Sequence, residues 1–328
     1  MSATYGRFVV EKTGEPEVMK WISEPVQHPG ANDIRVRHEA IGVDYIDTQI
    51  RGGLLPATLP TGLGFAGVGE AVEVGADVKH IKKGDRVAYM YFVAGSYGEE
   101  RVVPADRVVA LPDQTLSPEL AAGALFRGLT AWYLANRLKP LGKGDTALVH
   151  AAAGGVGLIL TQWLAHLGVT VIGTVDTREK AEALREFGCP HPVLMPDEDF
   201  VAKVKDVTGG KGVSVVYESI GVATFERSLD CAKRFGLIAS YGWPSGDPDN
   251  VSLMTLRTKG SLFITRPTVT QYTAESEDFR AGAAALFDLI KQGKLRIKVG
   301  NSYPLREAAR AHADLVAGRT LGSVVLVP

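Results

Sequence analysis

The stretch HAAAGGVG, residues 150–157, decides how the chain is read. It follows the apolar run DTALV (145–149) and leads into LILTQWLAHLG (158–168). Strand, glycine turn and helix in that order make the setting a phosphate loop needs. The first turn of a helix carries unpaired N–H groups and about half a positive charge. Glycine lets the backbone approach a pyrophosphate without a Cβ in the way. The spacing is Ala151-x-x-Gly154-x-x-Gly157 with Gly155 added, a departure from strict G-x-G-x-x-G. A tight turn in an α/β sheet is the competing reading of the motif alone.

The surroundings favour the phosphate loop. Beyond TALVHA the chain alternates VTVIGTV, REKAEALREFG, HPVLM, EDFVAKVKDVTGG, VSVVYESI, TFERSLDCAKRFG and LIASYG, strand and helix in turn. Short β-branched runs separated by helices imply a parallel sheet covered on both faces. SLFITR adds a further strand and EDFRAGAAALFDLIKQGKL a long helix. Before residue 120 the rhythm differs: RFVVEKTG, DIRVRHEAIGV, GVGEAVEVGADV, DRVAYMY and GEERVVPADRVVAL alternate or cluster valines between glycine turns, which reads as an antiparallel, barrel-like domain. SPELAAGALFRGLTAWYLANRL opens as a helix behind Ser–Pro. The tail, one helix and a last strand, is assigned to the first domain. The fold class is thus α/β, with residues 1–124 and 296–328 in the barrel-like domain and 125–295 in the dinucleotide-binding domain.

Asp176, close to the position where an acidic residue holds a ribose 2′-hydroxyl, points to NAD. Thr177, Arg178 and Lys180 follow at once and suit a 2′-phosphate, although Arg178 and Lys180 also read as solvated helix surface. NADPH is favoured, with NADH as the alternative. Of 328 residues 45% are apolar and 22% charged, with a formal net charge of −1, so nothing overall drives the chain toward nucleic acid. Cys189 and Cys231 are too few for a disulfide framework or a four-thiolate zinc site and point to a reducing, cytoplasmic setting. No apolar run is long enough for a membrane span, and the N-terminus lacks an apolar signal core.

These blocks resemble the zinc-free, zeta-crystallin-like quinone oxidoreductases of the medium-chain dehydrogenase/reductase superfamily. The resemblance rests on AIGVDYIDTQIRGG, HIKKGDRV, FRGLTAWYL, GDTALVHAAAGGVGLILTQW, VIGTVDTREKA, VTGGKGVSVVYESIG, GSLFITRP, YPLREAARAHADL and GRTLGSVVLVP, nearly the whole chain. It implies a split GroES-like β-barrel domain around a Rossmann domain, an active site in the cleft between them, NADPH, no metal, and a homodimer joined through GSLFITRP. By motif, Gly154, Gly155, Val156 and Gly157 would face the pyrophosphate and Thr130 the nicotinamide end. Thr177 and Lys180 would hold the 2′-phosphate. Tyr241, Gly242 and Ser245 would line the adenine and ribose side, and Arg266 and Arg319 would complete the pocket.

The chain departs from the family pattern where Asp44 replaces Asn, Gln49 and Leu55 replace Tyr, Ala66 replaces an acid, Arg127 replaces Lys, and Met195 lies where a Tyr is common. The implied chemistry is hydride transfer to a conjugated acceptor, with Tyr45, Arg127 or a ribose hydroxyl donating to the developing oxyanion and Asp44 a possible proton relay. Quinone reduction leads. Reduction of the C=C bond of enones, alkenals or acrylates is the alternative, and a nucleotide- or RNA-binding protein without turnover stands as a reading of another class. His150 reads as a packing or hydrogen-bonding residue.

Overall fold

Along DIRVRHEAIGV, Ile34, Val36, His38 and Ala40 are buried while Arg35, Arg37 and Glu39 reach solvent, the period of two of a half-buried strand. The computed structural model describes residues 3–111, 116–195 and 197–328. Such segments there form β1 (Thr4–Val10), β2 (Met19–Pro25), β3 (Asp33–Val43), β4 (Ala66–Val74), β5 (Arg86–Met90), β6 (Glu100–Pro104) and β7 (Val108–Ala110), with helix α1 (Tyr45–Gly52) after β3. Helix α2 (Pro118–Tyr133) precedes the alternating region: β8 (Thr146–Val149), α3 (Gly155–His166), β9 (Thr170–Val175), α4 (Arg178–Glu186), β10 (His191–Leu194), α5 (Phe200–Thr208), β11 (Val213–Glu218), α6 (Val222–Ser228) and β12 (Ala232–Ser240). Then come α7 (Leu253–Thr258), β13 (Phe263–Thr265), α8 (Val269–Tyr272), α9 (Ser276–Lys291), β14 (Val299–Pro304), α10 (Ala308–Val316) and β15 (Ser323–Val327).

Two compact units result: Met1–Arg127 with Phe279–Phe287 and Ile297–Pro328, and Gly128–Asp278 with Asp288–Arg296. In the first, β14-β15-β3-β4-β5-β7 form one sheet, antiparallel except for the parallel β14–β15 pair. The long strand β3 pairs with β4 along one edge and with β6 and β15 along the other. Val324 therefore lies opposite Val43, and Ile41, Val43, Leu63, Val324 and Leu326 share a core. The hairpin β1–β2 stands apart, tied on by Phe8 N–H to the Tyr97 carbonyl at 2.8 Å. Its second strand, MKWISEP, was not anticipated from sequence.

The second unit holds a parallel six-stranded sheet of order β10-β9-β8-β11-β12-β13. All six residues of β11 are buried, as helices on both faces require. Leu148, Ile172, Val193, Val216 and Ile238 meet Phe200 and Phe225 in its core. Strand order reverses between β8 and β11, so their C-terminal ends flank the switch point where such sheets bind ligands. One element differs from its sequence reading: TFERSLDCAKRFG is not one helix. Helix α6 stops at Ser228, a short turn follows, and β12 begins at Ala232 opposite Val213. The charges of AKRF mimic a helix end, but Phe235 takes φ 61° there, which a right-handed helix does not allow. Among the described residues no helix is long and apolar enough to cross a membrane.

Three histidines are wholly or almost wholly buried: His38, His150 and His312. Burial pushes His38 down to about 4 and His312 to about 3, and lowers His150 despite the nearby Glu218 carboxylate. A lowered folded-state value means that the unfolded chain binds the proton first, so stability falls once pH drops below 6.5. Asp47, raised by burial to about 7, acts oppositely and favours the folded form as pH falls from 7. Near pH 5, His38 and His312 set against Asp47 should therefore make unfolding take up about one proton net, a loss of about 1.4 kcal/mol per pH unit, and His150 acts in the same direction. Unfolding free energies measured from pH 7 to 5 check this, and His312→Gln should remove about one proton from the slope.

Candidate functional site

The stretch 150–157 lies at the switch point. After β8, Ala151 turns the chain at φ 47°, a left-handed value in a non-glycine residue. The Gly154 carbonyl accepts the Leu158 N–H at 3.0 Å and opens α3. The first-turn N–H groups of Gly155, Val156 and Gly157 then have no helical carbonyl to donate to and present the positive end of the helix. Gly157 is required by packing, since a Cβ there would stand 2.5 Å from the Ala151 carbonyl oxygen and 2.7 Å from Ala152 Cα.

A buried polar cluster fixes the loops on either side. The Glu218 carboxylate, fully buried at the end of β11, accepts from the N–H groups of Ile220 and Gly221 at 2.8 and 3.2 Å and from the hydroxyls of Thr224 and Ser228 at 2.9 and 2.6 Å. His150 lies 2.9 Å from the Ser228 hydroxyl and 3.0 Å from that of Thr174. Ser219 donates to the His150 carbonyl at 2.9 Å. Low basicity keeps His150 neutral, so it packs and hydrogen-bonds, in line with its sequence reading.

At the end of β9, Asp176 is exposed and its carboxylate meets Lys180 Nζ at 2.9 Å. The Thr177 hydroxyl caps α4 by accepting the Lys180 backbone N–H at 3.2 Å. Tyr241 follows β12 and is raised to about 12 by burial, and Gly242 packs so closely that a Cβ would stand 2.9 Å from the Ser219 carbonyl oxygen. Ser245 donates to the Ile220 carbonyl at 2.6 Å and accepts the Ala223 N–H at 3.2 Å, which stitches its loop to the start of α6. The Arg266 guanidinium lies 3.8 Å from the centre of the Trp243 ring and is paired with Asp247. Thr130 is buried within α2.

In the first unit, Asp44 and Arg127 are brought together. Asp44 Oδ1 is 3.2 Å from Arg127 Nη2, with both side chains almost completely buried. Arg127 also donates to the Gly123 carbonyl at 3.3 Å and to that of Val43. Burial raises Asp44, and the guanidinium opposes that shift. Tyr45, the first residue of α1, is about one-third exposed, and partial burial raises its hydroxyl. Beneath it Asp47 accepts the N–H groups of Asp44 and Gly64 at 2.9 and 3.0 Å and the Tyr97 hydroxyl at 3.2 Å. Tyr97 Oη is 2.9 Å from His312 Nε2. Arg319 is paired with Asp314 at 2.5 Å.

Glu218, Trp243 and the Asp47–Tyr97–His312 chain were not singled out from sequence. An acid ending the apolar run VSVVYE was the one available signal. Among the described residues no three His, Cys, Asp or Glu side chains converge to hold a metal ion.

The alcohol dehydrogenase GroES-like domain model matches residues 30–113, and the zinc-binding dehydrogenase model matches 155–288. The quinone oxidoreductase of Pseudomonas aeruginosa is 45% identical over 96% of this chain and 97% of its own. The 2-haloacrylate reductase of Burkholderia sp is 41% identical over 98% of each chain. The crystal structure of Escherichia coli quinone oxidoreductase complexed with NADPH matches with a TM-score of 0.95 and 42% identity, over 98% of this chain and 100% of that one. A Rossmann unit joined in one chain to a GroES-like unit is the architecture of the medium-chain dehydrogenases/reductases. Within that superfamily the chain belongs to the zinc-independent quinone oxidoreductases.

Because the atoms facing Gly157 are backbone, Gly157→Ala should lower the unfolding free energy by about 1–3 kcal/mol, even though alanine favours the helix. Gly142→Ala, with nothing within 4 Å of its Cβ, should leave stability within about 0.5 kcal/mol. Urea titration of the two variants compares them directly.

Proposed function

We propose that this chain reduces quinones with NADPH, and that the observation carrying this reading is the open first turn of α3 at the switch point. The local structure fits a dinucleotide: donors of Gly155, Val156 and Gly157 for the pyrophosphate, and Asp176, Thr177 and Lys180 for the adenosine ribose. Thr130, Tyr241, Gly242, Ser245, Arg266 and Arg319 are assigned to the remaining contacts. NADPH, when bound, supplies the hydride, and a proton from solvent completes reduction to the hydroquinone. Tyr45 stays protonated at neutral pH and donates a hydrogen bond to the acceptor oxygen. The buried pair makes Asp44 and Arg127 positioning residues that hold the start of α1.

The acceptor is a neutral molecule. Arg127 is committed to Asp44 and two carbonyls, so its charge is spent before any substrate carboxylate arrives. This favours a quinone or enone over a haloacrylate. Cys189 and Cys231 are buried free thiols, which supports the cytoplasmic assignment. A homodimer forms through the β13 edge, whose unpaired backbone groups and 60% exposed Phe263 call for cover.

Purified protein should oxidise NADPH with 1,4-benzoquinone, and more slowly with 2-cyclohexen-1-one. Turnover on the enone alone would transfer the assignment to C=C reduction. Tyr45→Phe should lower kcat roughly 10–100-fold with little change in KM; an unchanged kcat removes Tyr45 from the reaction. Light scattering should give twice the mass of one chain, and Phe263→Glu half of that. A wild-type monomer at assay concentration would refute the dimer.

A further inference from the structure

We infer that Asp176 is an internal competitor for the adenosine 2′-phosphate, so that this chain takes NADH nearly as well as NADPH. The inference rests on the proposed dinucleotide site and concerns which of its two charged groups meets the ribose.

Asp176 stands immediately after β9 and Lys180 in the first turn of α4. Lys180 Nζ lies 2.9 Å from one Asp176 carboxylate oxygen and 3.0 Å from the other. The Lys180 side chain is only 17% exposed, whereas that of Asp176 is 64% exposed. The ammonium is thus folded back onto the carboxylate, and the carboxylate faces solvent. A 2′-phosphate that uses Lys180 has to separate this pair or share the ammonium while lying next to an anion. A ribose diol leaves the pair intact and donates to the outward lone pairs of Asp176. Exposed ion pairs are weak, so exchange with a phosphate is feasible and the outcome is a small preference, not exclusion of either cofactor.

Two neighbours agree with this. Met195 follows β10 and is tied to β9 through its N–H on the Val175 carbonyl at 2.8 Å. Its thioether packs against the core of the second unit and brings neither a hydroxyl nor a charge. Arg178 lies exposed in the first turn of α4, where it can follow a phosphate that has displaced Asp176 from Lys180.

Calorimetric titration with adenosine 2′,5′-bisphosphate and with 5′-AMP reads this step without turnover. The wild type should bind the two within about tenfold of each other. Asp176→Asn alters one exposed group and should tighten the bisphosphate about tenfold while weakening AMP several-fold. Lys180→Met should weaken the bisphosphate alone. The NADPH-to-NADH ratio of kcat/KM should move with the binding ratio. A wild type that binds the bisphosphate more than about 100-fold tighter, or an Asp176→Asn variant whose ratio does not move, overturns the inference. If neither nucleotide binds any variant, the dinucleotide site itself falls and the inference with it. If the binding ratio shifts as stated but no quinone is reduced, the inference stands and the acceptor assignment falls.

Discussion

A carboxylate sealed inside an α/β sheet has to satisfy its lone pairs locally, and Glu218 does so by drawing in the chain around it. Its partners come from the turn after β11 and from both ends of α6, and Ser228 passes the connection on to His150 at the end of β8. Leaving such a group unpaired costs about 1–3 kcal/mol per lost partner, and more when the group is charged. Any displacement of these loops therefore opens several bonds at once. Ser219 closes the loop by bonding the His150 carbonyl, and Ser245 then ties the segment after β12 to the same turn. The open N–H groups of α3 consequently project from a floor that is already rigid, and donors held in advance bind a phosphate without a further ordering penalty.

The first unit uses buried charge in a comparable way. The start of α1 is gripped from two sides: Arg127 bonds the Val43 carbonyl and pairs with Asp44, while Asp47 accepts the Asp44 and Gly64 N–H groups. When Asp47 is ionised the Tyr97 hydroxyl donates to it, and His312 Nε2 then carries the hydrogen that faces Tyr97. His312 Nδ1 then becomes a buried acceptor without a partner among the described residues, as the Nε of Arg51 is a buried donor without one. Burial holds His312 neutral, so the arrangement keeps one tautomer and one orientation of Tyr97 under α1.

The sequence carried the sheet order less well than the elements themselves. The Rossmann half was legible because its strands are short apolar runs and its turns are punctuated by glycine. The tail helix and strand were legible for the same reason, and β15 pairs with β3. Strand β2 was not, since MKWISEP interrupts its alternation with Trp21 and Ile22, both only partly buried. The start of β12 misled because Lys233 and Arg234 look like a solvated helix end. A glycine whose need is set by backbone packing, such as Gly157, could be read from spacing. Residues whose role depends on a distant partner could not: Asp44 and Arg127 are 83 positions apart in sequence, and no periodicity announces that one neutralises the other.

Burial separates two ion pairs that look equivalent on paper. Asp44–Arg127 is 3.2 Å long with both side chains nearly inaccessible; removing one partner from such a pair strands the other charge and costs about 3–5 kcal/mol. No incoming ligand group supplies that much for so small a contact, so this pair acts as structure. Asp176–Lys180 is shorter, at 2.9 Å, yet its carboxylate remains solvated, and pairs of that kind contribute about 0–1 kcal/mol. A nucleotide phosphate offering charge-assisted hydrogen bonds can match that. The shorter pair is therefore the one that can exchange partners. The distinction lies in the hydration of the carboxylate and not in the distance, which is why a contact length alone does not separate an ion pair that can exchange partners from one that cannot.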